Sequence, residues 1–555
     1  MSTDLSTGVL VVGAGPTGLT LAAELGRRGV PCRLIEKATE RSPYSKAVAI
    51  QARTLETLTL MRCVDEFIAQ GHRLTGGNVY SNGKHIIRLT FDGLDTPYPY
   101  ILTLPQPETE RILETVVTSH GVQIERGVEL TTLAQDDAGV TATLTHADGS
   151  TESVRCEWLA GCDGAKSTVR EQIGAPFEGH TYPQIFALAD VDIAWELSDD
   201  AAQVFTEKGA LCGIFPFGGS RYRIVIDEPP WPVDHPASLG EWQALVEQRT
   251  GTIATLSNLR WTTTFHVNSR LVKQLRTGRV FLAGDAAHIH SPAGGQGMNT
   301  GIQDAVNLAW KIGLVRRGVV SSLLDSYERE RYPVERGVLR QTDFLINLVG
   351  AHGGMAAVLR DHFAPVVSKL GVVQRNVGRL VSEIAIRYHG SEIVEDHLLH
   401  GGAGAGSRAP DALAKVVEDG RVARILDLCA RPEHTLLALV ARDAHQDAPA
   451  LCASIVAERV PEILRSAIVP IVITDIDGEL PVPPHDDGAV RTPRTLRDEY
   501  GDTRPALYLI RPDGYVAFRA TMDVGGEAAL CRYLERLVLG GPPAPTPRMT
   551  APPAC

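Results

Sequence analysis

Near the N-terminus the apolar pattern changes period twice. Gly8 to Val12 is a short continuous apolar run, as expected of a strand buried on both faces. From Thr17 to Gly29 the apolar positions Leu19, Ala22, Ala23 and Leu25 recur at helical spacing, and Gly29 closes the helix. Pro31 to Glu36 reads as a second strand, so residues 9–37 predict a complete βαβ unit. Residues 77–105 alternate polar and apolar with Gly and Pro punctuation, which predicts a β excursion. Pro107 to His120 predicts a helix with Ile112, Leu113 and Val116 on one face, and 122–160 is strand-rich with a hairpin signal at Ala147-Asp148-Gly149. The stretch 175–275 is again β-dominated, broken by a helix near Leu239–Arg249. A strand at Arg279–Ala283 precedes long helices over 299–390. Gly401 to Gly406 reads as a low-complexity hinge, and 407–540 as a small α/β unit. The Pro- and Ala-rich tail after Gly540 is expected to be disordered, and no internal repeat is present.

Length and charge narrow the classes. A chain of 555 residues predicts about three to four domains. With 44% hydrophobic and 22% charged residues, wholesale disorder and fibrous repeats are excluded. A net charge of −12 disfavours a nucleic-acid backbone or an anionic membrane as partner. The apolar segment Val9–Leu25 lacks a basic leader and is interrupted by Gly13, Gly15, Pro16 and Gly18, so neither an export signal nor a membrane span is expected. Nine cysteines without a CxxC spacing point to a reducing cytoplasm rather than a disulfide framework.

Three segments carry chemistry. Gly13-Ala14-Gly15-Pro16-Thr17-Gly18 fits GxGxxG between a strand and a helix, and Glu36 ends the next strand, the context in which the motif binds a dinucleotide. Gly13 permits the turn, Gly15 admits a pyrophosphate, and Gly18 lets the helix pack on the strand. The helix N-terminus, with Pro16 and Thr17 in its first turn, offers free N–H groups to the anion. Glu36, followed by Lys37, is placed to accept from a ribose diol. Cys162 to Arg170 contains D-G-x-x-S-x-x-R, with Asp163 at a strand mouth and Ser167 as a helix cap. Arg279 to His288 is a buried strand ending in Gly284-Asp285, followed by Pro292-Ala-Gly-Gly295-Gln-Gly297-Met298-Asn299 and an apolar helix. Such a glycine-rich segment suits a flat ring approached at backbone range, with the helix dipole aimed at it.

In this order and separation, the three segments resemble the fingerprints of the FAD-dependent aromatic hydroxylases, the class A flavin monooxygenases. The resemblance implies that Asp285 holds the ribityl chain of FAD. It also implies that Asp163 lies near the pyrophosphate and the path of the nicotinamide donor, and that Pro292 to Asn299 line the isoalloxazine. Gln106 matches a flavin-contacting glutamine with Arg111 beside it, and Lys46 stands where the family usually has Arg. The implied reaction is NAD(P)H reduction of FAD, O2 addition to give a C4a-hydroperoxide, and oxygen transfer to a phenolic or polycyclic aromatic substrate. Neither a metal nor a protein nucleophile is needed. The C-terminal unit, with Ser407-Arg-Ala-Pro-Asp411 and Leu509-Ile-Arg-Pro-Asp-Gly-Tyr-Val-Ala-Phe518-Arg519, resembles the thioredoxin-like extension of phenol hydroxylase-like and aromatic polyketide hydroxylases. Without CxxC its expected role is structural.

The expected fold class is therefore α/β: a Rossmann-like FAD-binding domain, an inserted β-rich substrate domain and a C-terminal thioredoxin-like domain. The boundaries are 1–76, 106–175 and 276–400 for the FAD-binding parts, and 77–105 and 176–275 for the substrate parts. The thioredoxin-like unit takes 401–540 and the tail 541–555. A homodimer is admitted. Within the β-rich section Tyr222 and His266 are pocket candidates, as groups able to deprotonate a phenol. Alternation sets Tyr222 and Ile224 on one strand face, Arg221 and Arg223 on the other. His288 and His290 are expected to be satisfied by loop backbone. Baeyer–Villiger oxygenation and a non-catalytic flavin-binding regulator are alternatives on the same scaffold. A flavin disulfide reductase would need a second nucleotide fingerprint and a cysteine pair.

Overall fold

The computed structural model describes residues 7–541 except 46, 82, 208–209, 234, 292–293, 350–377, 398–400, 442–447, 477–494 and 502–504. Lys46, Pro292 and residues 542–555 of the tail therefore lie outside the described residues. The helices that bear on the site are α1 (Pro16–Arg27), α2 (Ala52–Leu60), α3 (Val64–Gln70), α4 (Gln106–Ser119), α5 (Leu239–Thr250), α6 (Gly297–Arg316) and α7 (Asp325–Val349).

The apolar run at the start of the chain becomes the centre of the parallel part of an eight-stranded mixed sheet. Its strand order is Val280–Leu282, Thr151–Gly161, Thr7–Val12, Cys32–Glu36, Ile124–Arg126. Val9, Leu10 and Val11 are buried on both faces, which is why this strand shows no alternation. α1 packs between α4 and α6 over this sheet, bringing the ends of all three helices to the carboxyl edge of the strands. Ligands bind at that edge in open parallel sheets.

A second sheet runs His288–Ile289, Thr255–Val272, Phe177–Ala194, Arg221–Asp227, Ala210–Pro216, Ala201–Glu207, Gly76–Ser81, Lys84–Thr90. The early β excursion thus joins the β-rich section, except that Ile101–Thr103 pairs instead with Ala49–Ile50 and His72–Leu74. One face of this sheet is sealed by α5, whose Trp242 packs with Ala187, Ala189, Ile214, Tyr222 and Ile224.

The C-terminal sheet has seven strands, Glu395–Asp396, Val516–Thr521, Ala506–Ile510, His434–Leu439, Ile468–Thr474, Leu413–Val416 and Val422–Arg424. The 401–406 glycine run is not a loose hinge. A Cβ on Gly402 would meet the Tyr500 carbonyl at 2.3 Å, and Gly406 donates its N–H to the Val516 carbonyl at 2.8 Å. The glycines are there for close approach, and the strand Glu395–Asp396 before them already belongs to the C-terminal sheet.

This unit is bolted to the first one by buried charge. Arg511 grips Glu330 of α7 through two nitrogens at 2.6 and 2.9 Å, and Lys311 of α6 reaches the same carboxylate at 2.8 Å. The Asp513 carboxylate accepts from Asn307 and Trp310 of α6, both at 3.2 Å, and its carbonyl accepts from Arg53 of α2 at 2.6 Å. Because each of these buried charges is matched by an opposite one, removing one partner is far costlier than the pair is stabilising.

Candidate active site

The Gly13–Gly18 loop is where the three sequence segments meet. Gly13 turns with φ +103°, and a Cβ there would lie 2.4 Å from the Cys162 carbonyl oxygen and 2.9 Å from Asp163 Cα. The Asp163-Gly164 segment therefore packs directly on the turn. A Cβ on Gly284 would come within 2.5 Å of Thr17 Oγ1, and one on Gly301 within 2.3 Å of the same atom. Glu36 closes the third side: its carboxylate accepts the Ala14 N–H at 2.8 Å and the Ala38 N–H at 2.9 Å. Segments far apart in sequence thus converge on one loop.

That loop leaves a cradle. Gly15 is the N-cap of α1 with Pro16 behind it, no side chain caps the helix, and no acidic residue lies in its first turn. The first-turn amides are therefore left without a side-chain acceptor. Nothing lies within 4 Å of a Cβ built on Gly15, so the space above it is open. Open space, orphan amides and the positive end of the helix dipole suit a pyrophosphate, and a ribose diol has the spare lone pairs of Glu36 to bond to.

The two acidic fingerprint residues are used differently. Asp163 turns its carboxylate into its own helix turn, accepting from the Ser167 hydroxyl at 2.5 Å and the Val169 N–H at 3.1 Å. Ser167 caps the helix by accepting the Arg170 N–H at 2.9 Å. Burial pushes the Asp163 carboxyl up, partly offset by the Ser167 hydroxyl. Asp163 thus meets the loop through its backbone, while Asp285 stands exposed on the turn Gly284–Ala286.

At the other end of the cleft, Asn299 is a staple. Its carbonyl oxygen accepts the Gln51 N–H at 2.9 Å, and its amide donates to Ala49 at 2.9 Å and Gly295 at 2.7 Å. Gln51 returns a bond to the Gly294 carbonyl at 2.9 Å. The chain before α2 and the Gly295–Met298 stretch are thereby locked together, with Gly297 and Met298 half-buried at the start of α6. Gln106 ties in the chain ahead of that staple, accepting the Ala47 N–H at 3.0 Å and donating its own N–H to Ser45 Oγ at 3.1 Å. No sequence signal marks Gln51, because its part is played by backbone and amide groups.

Two expected cofactor contacts are not brought to this cleft. Lys37 is exposed and bonded to Glu129 at 2.5 Å. Arg111 lies on the flank of α4 that faces α3, bonded to Glu108 at 2.8 Å and Gln70 at 2.7 Å, whereas Gln106 shares its flank with Glu110. Both cations are bonded instead to neighbouring acids and an amide.

The second sheet corrects both pocket candidates. Tyr222 is buried against α5, its hydroxyl accepting from Trp195 Nε1 at 3.2 Å. His266 is exposed and shares a face with Thr262 and Thr264, which hold the α5-side tryptophans Trp242 and Trp231. The opposite face carries Phe215, Val225, Trp261 and Phe265, all half-buried. These half-covered apolar side chains leave apolar surface on the face that α5 does not cover. Arg223 crosses from that face to the first unit. It is bonded to Asp190, donates to the Ser45 carbonyl at 2.9 Å, and lies over the Trp261 ring at 5.1 Å. The alternation of the strand had placed Arg223 on this face; a charge at a buried position beside an aromatic run was the available signal.

Among the described residues no cysteine pair offers thiol chemistry. The described cysteines are all unpaired, and burial pushes the Cys32, Cys63, Cys156, Cys212, Cys429 and Cys452 thiols up to about 12. A disulfide reductase needs a thiolate near neutral pH.

Residues 6–342 match the family model described as FAD binding domain. The chain is 33% identical over 531 residues to pentachlorophenol 4-monooxygenase from Sphingobium chlorophenolicum, covering 93% of this chain and 94% of that one. The chain belongs to the FAD-dependent aromatic hydroxylases. This hydroxylase is also 34% identical over 554 residues to 6-methylpretetramide 4-monooxygenase from Streptomyces rimosus, covering 96% of its own length and 93% of the relative. Its fold superposes on the solved anhydrotetracycline hydroxylase of Streptomyces rimosus with a TM-score of 0.73 at 29% identity, covering 97% and 99% of the two chains. The enzyme is a flavin monooxygenase with FAD as cofactor, NAD(P)H as reductant and O2 as oxidant. Among the described residues no helix is long and apolar enough to cross a membrane.

Proposed function

We propose that this enzyme hydroxylates a phenolic or polycyclic aromatic compound held between the flavin cleft and the half-buried face of the second sheet. The observation that carries this reading is the contrast between the two faces of that sheet. One is filled by α5, while the other leaves Phe215, Val225, Trp261 and Phe265 half-covered beside the chain that Gln106 and Arg223 tie down. The substrates named for the relatives, pentachlorophenol, 6-methylpretetramide and anhydrotetracycline, support the same class.

When bound, FAD supplies the electron transfer and oxygen activation. The residues of the chain do the rest. Gly13, Gly15, Pro16, Thr17 and Gly18 would hold the pyrophosphate against the α1 amides, and Glu36 the ribose diol. Asp285 would hold the ribityl chain, and Gly295, Gly297, Met298 and Asn299 would border the ring. Asp163 would act by backing the glycine turn. The apolar sheet face excludes water from the reacting ring, which prevents wasteful peroxide release.

The test is to incubate purified protein with FAD, NADPH or NADH, and a panel of phenols and polyketide-like quinones under 18O2. Substrate-stimulated NAD(P)H oxidation with one labelled oxygen in the product supports the reading. An unlabelled product, or oxidation that no aromatic compound stimulates, refutes it. The unpaired cysteines support a cytoplasmic location.

A further inference from the structure

Behind the Gly284-Asp285 corner lies a buried set of ionisable groups that the cofactor reading does not use. Asp304 of α6 is fully buried and surrounded by three donors. One carboxylate oxygen accepts the Gly284 N–H at 3.1 Å and faces His288 Nε2 at 2.8 Å, and the other accepts from Arg331 Nε at 2.6 Å. Arg331 is itself pinned, donating to the Tyr388 hydroxyl at 2.9 Å and the Thr300 carbonyl at 3.2 Å. Glu335 of α7 stands 3.9 Å from His288 Nε2, and neither of its oxygens has a hydrogen-bond partner. Burial disfavours a charged imidazole, but Glu335 and Asp304 outweigh it and raise His288 to about 9. Because the Asp304 oxygen 2.8 Å away can only accept, His288 Nε2 is the donor there, so a buried carboxylate holds this ring and not the loop backbone expected from its position.

His288, Asp304 and Glu335 also lie close enough to share a cation. Arg331 already occupies one oxygen of Asp304, however, and Gly284 and His288 occupy the other. A dication would have to displace hydrogen bonds that are complete without it.

We propose that Asp304, clamped by His288 and Arg331, is a positioning residue that fixes Gly284 and thereby aims Asp285 at the coenzyme. Gly284 is one bond away from Asp285 in the chain, and Asp304 receives its N–H. Three donors on one carboxylate leave it a single orientation. The same helix carries Asn299, so α6 holds both the corner and the ring loop in register. This inference rests on the FAD reading of the cleft.

The test is FAD titration by flavin fluorescence for the full chain and for Asp304→Asn, His288→Gln and His288→Leu. It is run at a temperature where each apoprotein keeps its far-UV spectrum. Asp304→Asn should weaken FAD binding by at least about tenfold, because amide hydrogens then face buried donors. His288→Leu should do likewise. His288→Gln keeps a donor toward Asp304 and should stay within about threefold of the parent. Visible circular dichroism of the bound flavin should change in Asp304→Asn and persist in His288→Gln. Parent-like affinity in Asp304→Asn, or equal losses in the two His288 variants, would overturn the proposal. If Asp304→Asn fails to fold, the His288 pair decides alone. A parent chain that takes up no FAD would fail the cofactor reading itself, which its own titration records separately.

Discussion

Thr17 and Gly284 meet across the cleft with no room for a methyl group between them: a Cβ on Gly284 would sit 2.5 Å from Thr17 Oγ1. Gly284 also turns with φ +60°, where a side chain is strained regardless of space. Gly284→Ala should therefore destabilise by about 1–3 kcal/mol from backbone strain, with overpacking against Thr17 in addition. Thermal melts of the apoprotein measure the loss, and FAD titration should show weakened binding in parallel.

Arg223 and Tyr222 are neighbours in sequence with opposite expectations. Arg223→Met removes the main partner of the buried Asp190, and stranding such a charge costs about 3–5 kcal/mol. Tyr222→Phe loses one hydrogen bond at 3.2 Å from Trp195, worth about 1 kcal/mol or less. Urea melts should separate the two by this margin. Tyr222→Phe should also leave turnover unchanged, because its hydroxyl points away from the cavity face.

Much of this was legible in the sequence. The βαβ start, the three glycine/acid segments and the inserted β-rich section follow from period, turn residues and motif order, and the structure joins those segments at Gly13, Thr17 and Glu36. What period could not give was the destination of long side chains. Lys37 and Arg111 sit at suitable positions along the chain, yet Glu129, Glu108 and Gln70 capture them. Alternation separates Tyr222 from Arg223, but only the packing of α5 shows which of the two strand faces is covered. Asp304 lies on a helix read for its apolar face, Arg331 and Glu335 on one read only as a long helix, and their pairing across α6 and α7 is a tertiary fact.

Acid should weaken the C-terminal unit through His434. Burial, aided by the charge of Arg511, lowers this imidazole from 6.5 to about 3. The unfolded chain therefore binds a proton between these values that the folded chain does not. Stability is present above pH 6.5 and lost as pH falls toward 3. At pH 5 the loss is about 2 kcal/mol. The difference in stability between parent and His434→Gln should change by this amount between pH 7 and pH 5, and a constant difference would contradict the assignment.

Arg511 and Glu330 weld the two units, so Arg511→Met should cost about 3–5 kcal/mol by leaving Glu330 buried without its main partner. The double variant Arg511→Met/Glu330→Met should recover only part of that loss, because it leaves Lys311 and Asp513 buried without these partners. A double-mutant cycle from chemical melts reads the coupling.

The cradle above Gly15 gives the sharpest test of the account. Gly15 has φ −76°, open to any residue, and no atom lies within 4 Å of its missing Cβ. Gly15→Leu should therefore melt with the parent apoprotein while failing to take up FAD in an equilibrium titration. A stable Gly15→Leu chain that binds FAD as tightly as the parent would contradict the placement of the coenzyme at this loop.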